Sequence, residues 1–138
     1  MSRRKAREYA LQILYQYDLT KEKPDRETFE IFWKEHNVDD TIKSFTEDIV
    51  TGTLKNLKEI DRLISSVTEH WELQRMAVVD RNILRAATYE LLYRDDIPAA
   101  VTINEAIEIA KKYSSRESAS FINGLLDRIT RDIKKRLH

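Results

Sequence analysis

Apolar residues recur three and four positions apart along almost the whole chain, the period of helices that each bury one face. Ala6, Tyr9, Ala10, Ile13, Leu14 and Tyr17 share one side of a first helix, which Ser2 is placed to cap and which should end near Asp18. Lys21 to Pro24 reads as a linker, and Asp25 can cap a second helix carrying Phe29, Phe32 and Trp33. A break over Asn37 to Asp40 precedes a third helix with Ile42, Phe45 and Ile49, running towards Gly52. Leu57, Ile60, Ile64, Val67 and Trp71 then form an apolar seam expected to face a core.

From Val79 to Tyr93 apolar residues fall on nearly every side of the helical wheel, which predicts a central buried helix stopped by Asp95-Asp96-Ile97-Pro98. Thr102, with Glu105 three residues on, has the spacing of a capping box for a helix through Tyr113. After a short polar connection over Ser114 to Ser118, a last helix puts Phe121, Ile122, Leu125, Leu126, Ile129, Ile133 and Leu137 on one face. The expected fold is all-α, about seven helices and no strand, in one unit over residues 1–138 with halves of roughly 1–71 and 72–138.

Composition narrows the chemistry. A chain of 138 residues is one domain's length, and two glycines with two prolines are too few turn-formers for a β-sandwich and leave little for a phosphate-cradling loop. No cysteine means no disulfide, no thiolate-held zinc and no thiol nucleophile. The basic start is not followed by an apolar stretch, and the longest apolar run is Ile97 to Val101, so neither secretion nor a membrane span is expected and the location expected is cytoplasmic. No metalloprotease, nucleophile-elbow, Walker or EF-hand pattern occurs, and His36, His70 and His138 lie far apart; no catalytic, metal or cofactor site is expected.

Net charge is zero, but its distribution is uneven. Arg3, Arg4, Lys5 and Arg7 against Glu8 give residues 1–17 a net +3; residues 128–138 carry +4, and residues 21–40 carry −3. In the first helix Arg4, Arg7, Leu11 and Tyr15 form a second stripe beside the core face. Guanidinium groups next to a tyrosine suit single-stranded RNA, pairing with phosphates and stacking on an unpaired base. The competing reading packs Leu11 and Tyr15 against another helix. In the last helix Ser120, Asn123, Asp127, Arg131 and Lys134 lie opposite the apolar face, and Gly124 sits in the helix interior at a cost of about 1 kcal/mol relative to alanine. That cost invites a close approach, by a helix within the core or by RNA or a partner from outside. Asp80, Arg81, Arg85, Glu90 and Arg94 read as an internal ion-pair network, with Glu90 and Arg94 an i,i+4 pair.

Several of these segments are familiar together: Arg3-Arg4-Lys5-Ala6-Arg7 with Leu14-Tyr15, Val79 to Arg85, Tyr89-Glu90-Leu91, Ile103 to Lys111 and Phe121 to Arg128. In this order and spacing the chain resembles the NusB family from end to end. The resemblance implies two three-helix bundles packed around, or sharing, the first helix. It also implies a non-enzymatic antitermination factor that binds boxA RNA together with the ribosomal small-subunit protein NusE and helps load an antitermination complex onto RNA polymerase, notably in ribosomal RNA transcription. Carried over, the RNA residues would be Arg3, Arg4, Lys5, Arg7 and Tyr15, with Leu14 beside it. Asn123, Gly124 and Asp127 would sit near the RNA or the edge that RNA shares with NusE, while Phe121 falls on the apolar face. Where the family has a glycine after the INEA helix, this chain has Ser114-Ser115-Arg116, adding a cation that could reach phosphate. A homodimer could mask the first-helix stripe. The rival function is a helical protein-interaction scaffold with no RNA contact.

Overall fold

Helix caps and apolar periods together account for seven α-helices among the described residues. The computed structural model describes residues 3–68 and 72–137, with side chains to residue 135, so Ser2, His70, Trp71, His138 and the side chain of Leu137 lie outside the described residues. The elements are α1 (Arg3–Thr20), α2 (Arg26–Glu35), α3 (Asp40–Lys55), α4 (Leu57–Val67), a 3-10 turn (Leu73–Arg75), α5 (Val78–Tyr93), α6 (Ala99–Tyr113) and α7 (Arg116–Leu137). No strand occurs among the described residues. The all-α expectation therefore holds.

Helix α1 runs two residues past its expected end and closes at Lys21, whose φ of 62° lies in the left-handed region. Its amide still donates to the Tyr17 carbonyl, and its ammonium reaches Asp18 Oδ1 at 2.7 Å, which helps a non-glycine residue hold that conformation. Asp25 caps α2 as expected, in a reciprocal box with Thr28. The expected box at Thr102 does not form, because α6 starts earlier, at Ala99 behind Pro98. Thr102 and Glu105 are then interior helix positions, and both side chains reach other helices.

Gly52 does not end α3. It lies inside the helix, and a Cβ there would overlap the Tyr89 ring, whose hydroxyl donates to Asp48 at 3.0 Å. The glycine lets α3 and α5 approach. Burial and the Asp48 carboxylate push the Tyr89 phenol up to about 12.

Helix α5 is the central element, packed against α1, α3, α4, α6 and α7, and α6 packs along α7. Helix α1 packs against both α3 and α5. One buried cluster runs through the molecule, from Ala10, Leu14 and Ile49 through Leu84 to Ile122, Leu126 and Ile129. This rigid frame holds the outward faces of α1, α6 and α7.

Candidate nucleic-acid interface

The first turns of α1 carry the four cations singled out above, and the fold treats them differently. Arg7 is 8% exposed and grips Glu90 with two bonds of 2.8 Å, one to each carboxylate oxygen, with a weaker contact of 3.4 Å to Glu105. Thr102 donates to the same Glu90 carboxylate at 2.9 Å. Arg7 is thus committed to the interior, and its assignment as an RNA contact is corrected. Leu14 is fully buried and Leu11 is 6% exposed, so both belong to the core. The second stripe splits, with Arg7 and Leu11 inside and Arg4 and Tyr15 at the surface.

Arg3, Arg4 and Lys5 reach solvent. Arg4 pairs with Glu105 and keeps 42% of its side chain exposed. Arg3 stands 4.0 Å from Asp96 with both side chains about half exposed, and its guanidinium lies over the Phe45 ring. Lys5 rests over Tyr9 without an ion pair among the described residues. Exposed pairs of this kind are worth about 0–1 kcal/mol, so a phosphate can displace the carboxylates. The region is less positive than its +3 in sequence implies, since Glu105, Glu90 and Asp96 come from distant segments to neutralise it.

Tyr15 is 38% exposed and lies about 16 Å further along the α1 axis from Arg4. Between them, α6 runs beside α1. Arg4 meets Glu105, and one turn further along α1 Glu8 meets Lys112 and Tyr113, two turns further along α6, so the two helices run in the same direction here. Glu8 is 4% exposed; burial pushes its carboxyl up, but the Tyr113 hydroxyl and the Lys112 ammonium at 2.9 Å outweigh that and hold it below the usual carboxylate range. Reading α1 alone missed Lys112 and Tyr113, whose only signal was their place at the end of the helix before the Ser114-Ser115-Arg116 departure.

Helix α6 closes at Ser114, whose φ of −130° is outside the left-handed region that favours glycine. Arg116 starts α7 exposed, with no ion pair among the described residues. Asn123, Gly124 and Asp127 are all exposed on α7, about 10–16 Å beyond Arg116 along the helix. Phe121 is half-buried and lines a hollow with Met76, Asp80 and Ser118.

Gly124 corrects the core-packing reading. A Cβ there would meet nothing within 4 Å, so no intramolecular contact requires the glycine. Gly124→Ala is expected to stabilise the free protein by about 1 kcal/mol, the helix-propensity difference, read as a higher urea midpoint at unchanged slope. A loss of stability would mean that the helix is constrained there in some other way.

The i,i+4 pair expected within α5 is absent, since Glu90 binds Arg7 while Arg94 binds Asp96 and Asp48, each at 2.9 Å. The wider network is structural. Arg81 and Arg85 converge on Asp18, and Arg85 also reaches Asp61. Among the described residues no cluster could hold a metal ion and no helix is long and apolar enough to cross a membrane.

The family model for the NusB family matches residues 4–131. A transcription antitermination protein NusB from Thermodesulfovibrio yellowstonii is 48% identical, with 96% of this chain and 93% of that protein covered. The NusB structure from T. maritima superposes with a TM-score of 0.83 at 42% identity, covering 95% of this chain and 92% of that one. A crystal structure of antitermination factors NusB and NusE in complex with double-stranded RNA superposes at 0.84 with 27% identity, covering 94% and 96%.

Proposed function

Since the chain belongs to the NusB family of transcription antitermination proteins, we propose that it binds boxA-type single-stranded RNA jointly with NusE and helps assemble an antitermination complex on RNA polymerase, above all during ribosomal RNA transcription. The observation that carries this reading is the solvent-facing run of Arg3, Arg4 and Lys5 leading along α1 to Tyr15, on a chain whose structural neighbour was captured with NusE and RNA. Cations at one end would hold phosphates, and an exposed ring along the same helix would take an unpaired base. Arg116 lies where α6 delivers the chain to α7 and extends the surface towards Asn123 and Asp127. Their amide and carboxylate, one turn apart on a helix face, can address base edges or a NusE side chain. The protein acts by binding, without covalent chemistry.

The test is a titration of labelled boxA RNA, a scrambled strand and a duplex with the protein, with and without NusE, followed by anisotropy at several salt concentrations. Preferential boxA binding that NusE tightens is expected. With Arg3, Arg4, Lys5 and Arg116 on phosphates, log affinity should fall with log salt at a slope of about −3, since single strands release about 0.7 counterion per contact. Tyr15→Ala should weaken binding about five- to hundred-fold. If no RNA binds while NusE still does, the protein is a scaffold and these residues are not an RNA site. Tighter binding of the duplex than of the single strand would overturn the stacking role of Tyr15.

A further inference from the structure

The polar clusters of the molecule tie helices together: the network around Asp18, which keeps Lys21 exposed, the Arg7–Glu90 pair, and the Arg94 group, whose carboxylates Asp48 and Asp96 are about half exposed. The group at Glu8 differs in holding an exposed aromatic ring against a buried carboxylate. Its carboxylate is buried, yet the side chains bound to it, Lys112 and Tyr113, face solvent, Lys112 with 58% of its side chain exposed and Tyr113 at 39%. The Tyr113 phenol donates to Glu8, and Lys112 Nζ lies 5.2 Å from the ring centroid. An exposed aromatic ring tethered at its hydroxyl has little freedom left to lose, which is what a stacking platform requires.

The position of this ring is the second part of the argument. Glu8 and Tyr15 are seven residues apart, nearly two full turns, so they share one side of α1 and stand about 10 Å apart along its axis. That is the rise of about three stacked bases at about 3.4 Å each, or fewer if the strand is stretched. Arg4 lies one turn before Glu8 on the same side. A cation, a tethered ring with its own lysine, and a second exposed ring thus follow one another along α1.

We infer that Tyr113 is a second base-stacking platform for single-stranded RNA, working in tandem with Tyr15, and that Glu8 is the positioning residue that holds its ring. This rests on the proposed RNA-binding function and names as its targets two bases of one strand, up to about three steps apart. Stacking is indifferent to base identity, so Tyr113 adds affinity and register and does not read sequence. Lys112, already beside the ring, is placed to meet the phosphate flanking the stacked base.

The test compares Tyr113→Phe with Tyr113→Leu in the full-length protein with NusE, against a boxA strand and a set of strands each lacking one base. Tyr113→Phe keeps the ring but loses its bond to the buried Glu8 carboxylate, and should weaken binding by about two- to ten-fold, the range of one hydrogen bond, and by less than Tyr113→Leu does. Tyr113→Leu should weaken binding about five- to hundred-fold. One abasic strand should lose no further affinity with the leucine variant, because base and ring then form a single interaction. Tyr113→Trp, with the wild-type tryptophan signal subtracted, should show quenched emission on RNA addition, and this readout holds even if the leucine variant folds poorly. Wild-type RNA affinity in Tyr113→Leu, with no quenching in Tyr113→Trp, overturns the inference and leaves the RNA-binding function standing. Equal weakening of NusE binding without RNA makes Tyr113 a protein contact and also overturns it. If the wild-type protein with NusE binds no strand at all, the RNA-binding function and the inference fall together.

Discussion

Arg7→Ala should lower folding stability by about 3–5 kcal/mol, the cost of leaving a buried carboxylate without its partner. The residue stripped bare is Glu90, which is 2% exposed, accepts both bonds from Arg7, and would keep only the Thr102 hydroxyl within reach. Against a total of about 5–15 kcal/mol for a domain, this is a large fraction, and urea denaturation should show a shifted midpoint at similar slope. The neighbouring Arg4→Ala should cost less than about 1 kcal/mol, since the Arg4–Glu105 pair is partly solvated. The two variants should separate the other way in RNA binding. Arg4→Ala reduces the salt slope by about 0.7, one phosphate contact, and Arg7→Ala leaves it unchanged wherever the variant is folded. An Arg7→Ala protein of wild-type stability with a shallower salt slope would put Arg7 back on the RNA surface. A double variant, Arg7→Met with Glu90→Leu, should recover much of the loss, because two apolar groups leave no charge to solvate and Thr102 can turn to its own helix carbonyl.

The contrast between Arg4 and Arg7 shows where sequence reading works and where it stops. The helices were legible because each buries a face of constant period, and the Asp25 cap was legible because capping is settled within four residues. The same kind of signal failed at Thr102–Glu105 and at Glu90–Arg94. In both cases a local partner competed with one far away in the chain, Arg7 for Glu90 and Arg4 for Glu105, and the distant partner won. A helical wheel of α1 puts Arg7 about 60° nearer the core face than Arg4, but how completely it is covered, and by which carboxylate, depends on how α5 and α6 pack. The two glycines follow packing for the same reason. Gly52, read as an end, admits the ring of Tyr89 from α5, and at Gly124, where a core contact and an outside partner were both open, no part of the described molecule approaches. Tyr113 was invisible as a site because its significance comes from Glu8, more than a hundred residues earlier.

The second large effect is expected at the far end of α1. Asp18 has a fully buried side chain that accepts from Arg81 Nε at 2.6 Å and Nη2 at 3.0 Å, Lys21 Nζ at 2.7 Å, Asn82 Nδ2 at 2.8 Å and Arg85 Nη1 at 3.1 Å. It pins α1 to α5, and through Arg81, which donates to the Gln74 carbonyl, to the 3-10 turn before α5. Asp18→Asn nearly preserves shape but leaves two arginines facing a neutral amide, so a loss of about 3–5 kcal/mol is expected. The pH dependence makes the assignment specific. Burial pushes the Asp18 carboxyl up, but the bonds from Arg81, Lys21 and Asn82 and the charge of Arg85 more than reverse this, holding it well below its ordinary 3.8. A group whose folded pKa is depressed contributes stability that is complete above the unfolded value and is lost as pH falls through the folded one. Wild-type stability should therefore decline from about pH 4 downward, and the difference between wild type and Asp18→Asn should shrink over that same range as the carboxyl becomes protonated. Urea midpoints at pH 7 and pH 3 measure this directly. A difference that stays constant between the two would show that Asp18 acts through shape alone. Because Tyr15 lies one turn before Asp18 on α1, the same clamp sets the ring proposed to stack on RNA, and a folded Asp18→Asn protein should bind boxA RNA more weakly without any change in its salt slope.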